Sequence, residues 1–360
     1  MLRFKDLFQF IGVRRSRKQG VAPSSLLFPV IWVTNRCNLH CRMCDQWKTP
    51  SESAQEELTT QEWFSFVDSA SRLHSAVVVV TGGEPLLRKD IFEIIGYMRT
   101  KKIAAHLCTN GTLINESTAR KIASCGLNSA SISLDSFTDS LHDWMRGTEC
   151  FRAAVSGIRA LRAAAPKIKI GINCVITKKN FLGLEKMIPF AESLGVNQIK
   201  FDPVHTNLMH RKKALESFEG LLFEASDLPR LRAEVKKLIR AAAKSRVLTN
   251  SYTFLEGISR LYDTARMANL ACYAGYISCA VDPYGWVAPC DNFDGVENIR
   301  NKPLEEIWRS ESFQRLRAEV IACQAHCWDT THAELNIRCS KFLSARELRQ
   351  IIKELYFYLT

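Results

Sequence analysis

Residues 30–44 read VIWVTNRCNLHCRMC, an apolar run followed directly by three closely spaced cysteines. The run is short and rich in β-branched residues, which predicts a buried strand, Val30–Thr34. Cys37, Cys41 and Cys44 therefore lie on the loop that follows this strand. Three thiolates on one loop can bind three irons of a four-iron, four-sulfur cluster and leave the fourth iron open to a small molecule.

Strand and helix patterns alternate along the first half of the chain. Further strands are predicted at Ala76–Thr81, Ile103–Thr109, Ser129–Leu134, Ile168–Ile176 and Gln198–Asp202. Helices are predicted between them over 60–73, 90–100, 116–124, 150–164 and 181–194, the first with a capping box of Thr59 and Glu62. Six consecutive βα units predict an α/β fold, a partial (β/α)6 barrel with its active site at the carboxyl ends of the strands.

The predicted barrel core spans residues 28–204, and four further segments flank it. They are a basic amphipathic segment over 1–27, a helical connection over 205–265 that includes a helix at 228–244, a small β-hairpin and helix extension over 266–342, and a C-terminal helix over 343–360. The hairpin is predicted between Cys272 and Cys290, with its turn at Asp282–Gly285.

The composition excludes several classes of protein. With 46% hydrophobic and 24% charged residues, the chain is typical of a globular protein and not of a disordered or collagen-like one. No apolar run approaches the roughly 18 residues of a membrane span, and no secretory signal is recognisable, so we predict a cytoplasmic protein. The net charge of +12 favours anionic partners without selecting one. Residues 1–18 fit either peripheral contact with a membrane or a helix packed on the protein.

The cysteine loop resembles the cluster motif of the radical S-adenosylmethionine (SAM) superfamily, which lies after the first strand of a partial barrel. The resemblance implies a [4Fe-4S] cluster on Cys37, Cys41 and Cys44, whose open iron binds the amino and carboxylate groups of SAM. An electron from the cluster would cleave SAM to a 5′-deoxyadenosyl radical that abstracts hydrogen from an unknown substrate. Met43 stands where many members carry an aromatic residue, and its thioether can also pack on a ring.

The same resemblance implies SAM contacts at the ends of the later strands. Gly82, Gly83 and Glu84 match the family's GGEP motif, which receives the SAM amino group. Ser133 and Asp135, at the end of the fourth strand, match a segment that contacts the SAM ribose and carboxylate.

Three further SAM contacts each have a simpler alternative. Arg146 can pair with the SAM carboxylate or be an ordinary surface arginine. Val175 can pack on adenine or only in the core, and Asn110 can complete the ring of strand-end residues or only cap a turn. The sequence assigns no residue to the hydrogen-abstraction step itself.

A second cysteine group resembles the SPASM/Twitch extension, which binds auxiliary iron–sulfur clusters. It consists of Cys272, Cys290, Cys323 and Cys327. A full SPASM module binds two auxiliary clusters with more cysteines than this segment offers, so the resemblance implies one auxiliary cluster, most simply [4Fe-4S]. The spacing of the last two cysteines leaves Cys279 or Cys339 as a substitute ligand, and a structural zinc ion is the competing occupant.

We therefore predict a radical SAM enzyme that acts on a small molecule or a peptide. The expected partners are SAM, the substrate and a reductant such as flavodoxin or ferredoxin, and no nucleic acid is expected. The alternative is a non-catalytic iron–sulfur protein that senses redox state or binds nucleic acid through its positive charge. Production of 5′-deoxyadenosine on reduction distinguishes the two.

Overall fold

A computed structural model of the protein describes residues 4–48, 57–204, 218, 220–262, 270–325, 327–340 and 345–359. Six parallel strands form its centre: β1 Val30–Trp32, β2 Val77–Thr81, β3 Ala104–Thr109, β4 Ser129–Ser133, β5 Lys169–Ile176 and β6 Gln198–Pro203. They lie side by side in chain order, and β6 forms an edge of this sheet in the part of the chain that is described. The open sheet confirms the partial barrel that the sequence predicts.

Helices follow the strands as expected for βα units. Those of the barrel are α2 Thr60–Arg72, α3 Ile91–Thr100, α4 Glu116–Cys125, α5 Asp139–Arg146, α6 Phe151–Ala164 and α7 Met187–Ser193. The capping box of Thr59 and Glu62 is present at the start of α2. The short helix α5 has no counterpart among the helices predicted from the sequence, although it carries Arg146.

The two faces of the sheet differ in polarity. Ala130 and Ile132 of β4 are buried in the hydrophobic core that the helices cover. Because side chains alternate along a strand, Ser129, Ser131 and Ser133 face the other side, the inside of the curved sheet. Ser133 lies in register with Asn173 of β5, which in turn lies in register with Lys200 of β6. The inner face of the barrel is therefore polar.

Three short strands extend the sheet beyond β1. They are β7 Ala280–Val281, β8 Trp286–Ala288 and β9 Glu297–Asn298. β7 pairs in parallel with β1, while β8 and β9 add antiparallel neighbours. The predicted turn at Asp282–Gly285 joins β7 and β8, but the hairpin is shorter than the predicted one and does not reach Cys272. The extension is thus hydrogen-bonded into the same sheet as the barrel.

Six further helices follow the barrel strands in the sequence. They are α8 Leu228–Lys244, α9 Tyr252–Ile258, α10 Leu304–Arg309, α11 Glu311–Ala322, α12 His332–Ser340 and α13 Ala345–Leu359. The predicted connection over 205–265 is described only in part, since residues 205–217, 219 and 263–269 lie outside the described residues. Buried Lys200 of β6 is ion-paired with Glu354 of α13, which fixes the C-terminal helix against the barrel.

The N-terminal helix α1, Phe4–Gln19, packs on the extension. Val13 is buried in a cluster with Tyr273 and Leu335, and the Arg17 Nε donates to the Cys272 carbonyl at 2.6 Å. This arrangement matches the packed-helix alternative for the basic N-terminus. Among the described residues, no helix combines the length and the apolar character that crossing a bilayer requires.

Candidate functional site

The first cysteine loop follows β1, and its three thiols lie near one another. Cys44 is close enough to Cys37 and to Cys41 for each pair to interact electrostatically. Burial raises the pKa of the Cys41 thiol to about 11 and also raises the pKa of Cys37. A buried thiolate needs a compensating positive charge, which iron supplies, so the donor set fits an iron–sulfur cluster.

Neighbouring loops hold this cysteine loop in place. The Asn110 Nδ2, after β3, donates to the Asn38 Oδ1 at 2.8 Å. The Arg42 Nε donates to the Trp144 carbonyl at 3.0 Å. Gly147 has φ of +75°, and a side chain there would meet the His40 carbonyl oxygen at 2.3 Å. The loops after β3 and α5 therefore fix the loop that carries the cysteines.

Glu84 is fully buried and its carboxylate is engaged inside the protein. Its Oε1 accepts from the Leu86 amide at 3.0 Å and the Thr109 hydroxyl at 2.7 Å, and its Oε2 accepts from the Asn110 amide at 2.8 Å. Burial raises its pKa, while these hydrogen bonds oppose the shift. The side chain thus ties the loop after β2 to the end of β3.

The glycine pair is required by the close approach of two loops. A β-carbon on Gly83 would lie 2.2 Å from the Arg36 carbonyl oxygen, and one on Gly82 would lie 2.4 Å from the Thr34 carbonyl oxygen. The Gly83 amide donates to the Thr34 carbonyl at 2.8 Å. The segment that leads to Cys37 is therefore packed directly on the backbone of the GGEP loop.

We expect Gly83→Ala to displace the cysteine loop and to reduce iron binding at Cys37, Cys41 and Cys44 to half or less of the wild-type content. The physical reason is a backbone clash that no side-chain rotation relieves. Iron and sulfide analysis after anaerobic reconstitution measures the effect. Gly12→Ala is the matched control, since Gly12, like Gly83, has no positive φ but has nothing within 4 Å of its added carbon. Equal iron contents in the two variants would contradict the expectation.

Arg146 and Asp135 form a buried ion pair. The Arg146 Nε donates to the Asp135 Oδ2 at 2.7 Å, and the other Asp135 oxygen accepts from the Val175 amide at 2.9 Å. The Arg146 Nη1 lies 3.8 Å from the Cys41 sulfur. Burial disfavours the charged guanidinium, but Asp135 and Cys41 raise its pKa. Arg146 is thus neither a surface residue nor free; it links the end of β4 to the cysteine loop.

A cavity of about 240 Å³ lies between the barrel and the extension, and we call it the inner cavity. The barrel contributes Cys41, Met43, Cys44, Arg146 and Val175 to its lining. The extension contributes Cys279, Cys290, Asp291, Asp329 and His332. Other predicted SAM contacts are not among the described lining residues: Gly82, Gly83, Glu84, Asn110, Ser133 and Asp135. Gly82, Gly83 and Asn110 lie against the segment 34–38 that leads into the cysteine loop, whereas Ser133 ends β4.

The second cysteine group also converges. Cys272, Cys290, Cys323 and Cys327 line one cavity of about 470 Å³, the auxiliary cavity. Interactions between pairs of these thiols connect all four, and burial raises the pKa of Cys272, Cys290 and Cys327. The Asn292 Nδ2 donates to the Cys327 sulfur at 3.0 Å. A four-thiolate site with room for a cluster fits these residues.

The two cysteines considered as substitute ligands lie elsewhere. Cys279 is buried and lines the inner cavity, and Cys339 is buried in α12 beside Tyr273. Neither is among the described residues that line the auxiliary cavity. Cys290 lines both cavities, so the inner cavity and the auxiliary cavity are adjacent.

Sequence reasoning missed the polar residues that the extension and β6 bring into the inner cavity. They include Asp202 at the end of β6, together with Asp329 and His332 at the start of α12. His332 Nδ1 lies 3.0 Å from the Asp329 Oδ2; although burial lowers the pKa of His332, this carboxylate raises it to about 9. The position of Asp202 at the end of a strand could have indicated a site residue. No local sequence pattern indicates that Asp329 and His332 belong to the site.

Comparison with protein families identifies two matches. Residues 31–182 match the radical SAM superfamily, and residues 272–329 match SPASM, an iron–sulfur cluster-binding domain. These ranges contain the two cysteine groups described above. The chain is also 30% identical over 301 residues to the AdoMet-dependent heme synthase of Methanosarcina barkeri strain Fusaro, covering 80% of this chain and 84% of the relative.

Two further likenesses extend over most of the chain. It is 27% identical over 304 residues to the mycofactocin maturase MftC of Mycobacterium tuberculosis H37Rv, covering 82% of this chain and 73% of the relative. The crystal structure of Streptococcus suis SuiB bound to S-adenosylmethionine superposes with a TM-score of 0.66 at 19% identity, covering 87% of this chain and 71% of SuiB. The second likeness supports the fold.

Proposed function

Because the chain belongs to the radical SAM superfamily and carries a SPASM iron–sulfur domain, we propose that Cys37, Cys41 and Cys44 bind the cluster that cleaves SAM, and that the substrate binds in the inner cavity. The observation that carries this proposal is that cysteines of both groups line the inner cavity. Cys41 and Cys44 stand on one side of it, and Cys290 of the second group stands on the other.

A [4Fe-4S] cluster with SAM on its open iron would supply one electron that breaks the bond between the SAM sulfur and the 5′ carbon, giving methionine and a 5′-deoxyadenosyl radical that takes a hydrogen atom from the substrate. The residues of the chain bind and orient the reactants. The backbone carbonyl oxygens of Gly82 and Gly83 would accept hydrogen bonds from the SAM ammonium group, since the side chain of Glu84 is already engaged.

Arg146 is placed to bind the SAM carboxylate while Asp135 holds its guanidinium by the Nε. A guanidinium has five N–H donors, so the contact with Asp135 leaves others for a ligand. Val175 and Met43, which line the same cavity, are placed to pack on the adenine ring. Ser133, at the end of β4, is proposed to contact the SAM ribose, and Asn110 holds the cysteine loop through Asn38.

Cys272, Cys290, Cys323 and Cys327 are proposed to bind an auxiliary [4Fe-4S] cluster whose irons are all ligated by cysteine. Such a site has no open position for substrate and is suited to carry an electron. Removing one hydrogen atom leaves an unpaired electron on the substrate, and an oxidation or a cyclisation requires a second acceptor. The shared wall at Cys290 puts this acceptor next to the inner cavity.

The proposed substrate is a small molecule or a peptide that presents a polar group to the inner cavity. Asp202, Asp329 and His332 offer it hydrogen-bonding and charged partners. Relatives of this chain include a heme synthase, a mycofactocin maturase and a PqqA peptide cyclase, which span both substrate types. A flavodoxin or ferredoxin is the proposed reductant.

Anaerobic incubation of the reconstituted protein with SAM and dithionite tests the function. We expect 5′-deoxyadenosine to form above the level found without dithionite, and we expect none from protein reconstituted without iron. Liquid chromatography with mass spectrometry quantifies the product. A reduced, iron-replete protein that binds SAM but releases no 5′-deoxyadenosine would favour the alternative of a redox sensor.

A further inference from the structure

A third cavity, open to solvent and about 570 Å³ in volume, lies beside the first cysteine loop. Like the inner cavity it is lined by Cys41 and Cys44, but its described lining contains no residue of the extension. We call its surface the basic face and define it by six exposed residues: His40, Arg42, Trp47, Lys48, Trp144 and Lys179. The cysteine loop is therefore accessible from a side that the substrate does not use.

The chemistry of the basic face is aromatic and cationic. Trp47 and Trp144 are 39% and 37% exposed, which is unusual for tryptophan. The Arg42 guanidinium lies 4.7 Å from the centre of the Trp144 ring, and the Lys179 Nζ lies 5.5 Å from it. Exposed aromatic residues held beside cations are typical of surfaces that bind other proteins.

The charge of this face is only partly balanced by the protein itself. Lys48 pairs with Asp45 at 3.2 Å. No carboxylate within the described part of the chain forms an ion pair with Arg42 or Lys179. The inner cavity has mixed charge, because Asp202, Asp291 and Asp329 line it together with Arg146 and His332. An acidic partner is therefore attracted more strongly to the basic face than to the inner cavity.

The basic face is also in direct contact with the cysteine loop. The Trp47 Nε1 donates to the Cys41 carbonyl at 3.3 Å, and its ring packs edge-on against His40 at 4.9 Å. A protein seated on Trp47 is thus one side chain away from a proposed cluster ligand. Short separation is what electron transfer between two proteins requires.

We propose that the basic face is the docking site of a small acidic electron-transfer protein that reduces the catalytic cluster. The proposal rests on the function proposed above. In the step, the donor protein loses one electron and the cluster gains it, and no bond is made or broken. Electron entry and substrate binding then occupy two different sides of one cysteine loop.

Flavodoxin is the probe for the test. Its chemically reduced form is mixed anaerobically with the reconstituted protein, without SAM, and its reoxidation is followed by flavin absorbance in a stopped-flow instrument. We expect Lys179→Glu to slow this reaction about fivefold and Lys48→Glu/Lys179→Glu about twentyfold at low salt, because charge reversal at an interface mainly reduces the association rate. The difference from wild type is expected to shrink at high salt.

The matched controls are Lys167→Glu and Lys102→Glu/Lys167→Glu. Both residues are exposed and lie two positions before β3 and β5, so they lie at the amino ends of the strands, opposite the cysteine loop. They change the net charge equally, and we expect wild-type rates from them. Reduction by dithionite, which needs no docking surface, is expected to be unchanged in every variant.

Equal flavodoxin rates in the basic-face variants and their controls would overturn the proposal. So would a DNA oligonucleotide whose binding is lost in Lys48→Glu/Lys179→Glu while flavodoxin rates are unaffected, since nucleic acid would then be the occupant. If the double variant incorporates less iron, the flavodoxin rate of Lys179→Glu alone tests the proposal, because Lys179 is distant in sequence from the loop that carries the cysteines. Failure of wild-type protein to cleave SAM with dithionite would overturn the proposed function and leave this reduction assay interpretable.

Discussion

Replacing Cys37, Cys41 and Cys44 together with alanine is expected to abolish 5′-deoxyadenosine production and to halve the iron content. Wild-type protein with two four-iron clusters holds about eight irons per chain, and the variant should hold about four. The remaining iron belongs to the second cysteine group, which lines a separate cavity. Iron analysis and electron paramagnetic resonance of the reduced protein, with and without SAM, measure both effects.

A control with three other cysteines separates this loss from a general effect of removing thiols. Cys108, Cys125 and Cys174 lie on β3, α4 and β5, and we expect their triple alanine variant to retain about eight irons and SAM cleavage. A SAM-dependent change of the resonance spectrum should appear in this control and in wild type only. An iron content of four in wild type and none in the cysteine-loop variant, with zinc at the second group, would instead identify a structural zinc site.

Arg146→Ala is expected to cause the largest loss of stability among single substitutions at the site. The change leaves the Asp135 carboxylate buried without its partner, and breaking a buried ion pair in this way costs about 3–5 kcal/mol. For a chain of this size the cost corresponds to a fall of roughly 4–7 °C in the thermal midpoint. Circular dichroism of the anaerobic protein measures the midpoint, and equilibrium dialysis measures the accompanying loss of SAM affinity.

Arg152→Ala is the matched control, because its pair with Asp139 is exposed on both sides and its Nη2 lies 3.9 Å from the carboxylate. Exposed pairs contribute about 0–1 kcal/mol, so the midpoint should hardly change. The double variant Asp135→Asn/Arg146→Gln removes both buried charges and should recover part of the stability without recovering SAM binding. A single variant as stable as the control would show that Asp135 is compensated by another group.

The sequence predicts the strands of the barrel closely because each combines an apolar run with a strand-end polar residue. The same pattern of an apolar run followed by polar residues predicts that the cysteine loop follows β1 and that the GGEP loop follows β2. It does not give the partners of these residues, since Arg146, Asp135 and Val175 meet only when three separate segments fold together. The helix that carries Arg146 was missed because it is short and rich in polar residues.

The sequence predicts that the extension binds a cluster, but it does not predict how the extension is joined to the barrel. Its cysteines are recognisable from their order, and the fold brings all four to one cavity. No local sequence pattern indicates that β7 pairs with β1, because these two strands are far apart in the sequence. Asp329 and His332 are likewise unremarkable in sequence and reach the inner cavity only through the packing of α12.

The pairing of Val30 with Ala280 has a consequence for biosynthesis. β1 is synthesised about 250 residues before β7, one of its two neighbours in the sheet. Such distant pairing slows folding and leaves a sheet edge exposed in the meantime. The cysteine loop that follows β1 is thus synthesised before β7 can pair with β1, so we expect the loop to be more accessible to solvent in the nascent chain than in the folded protein.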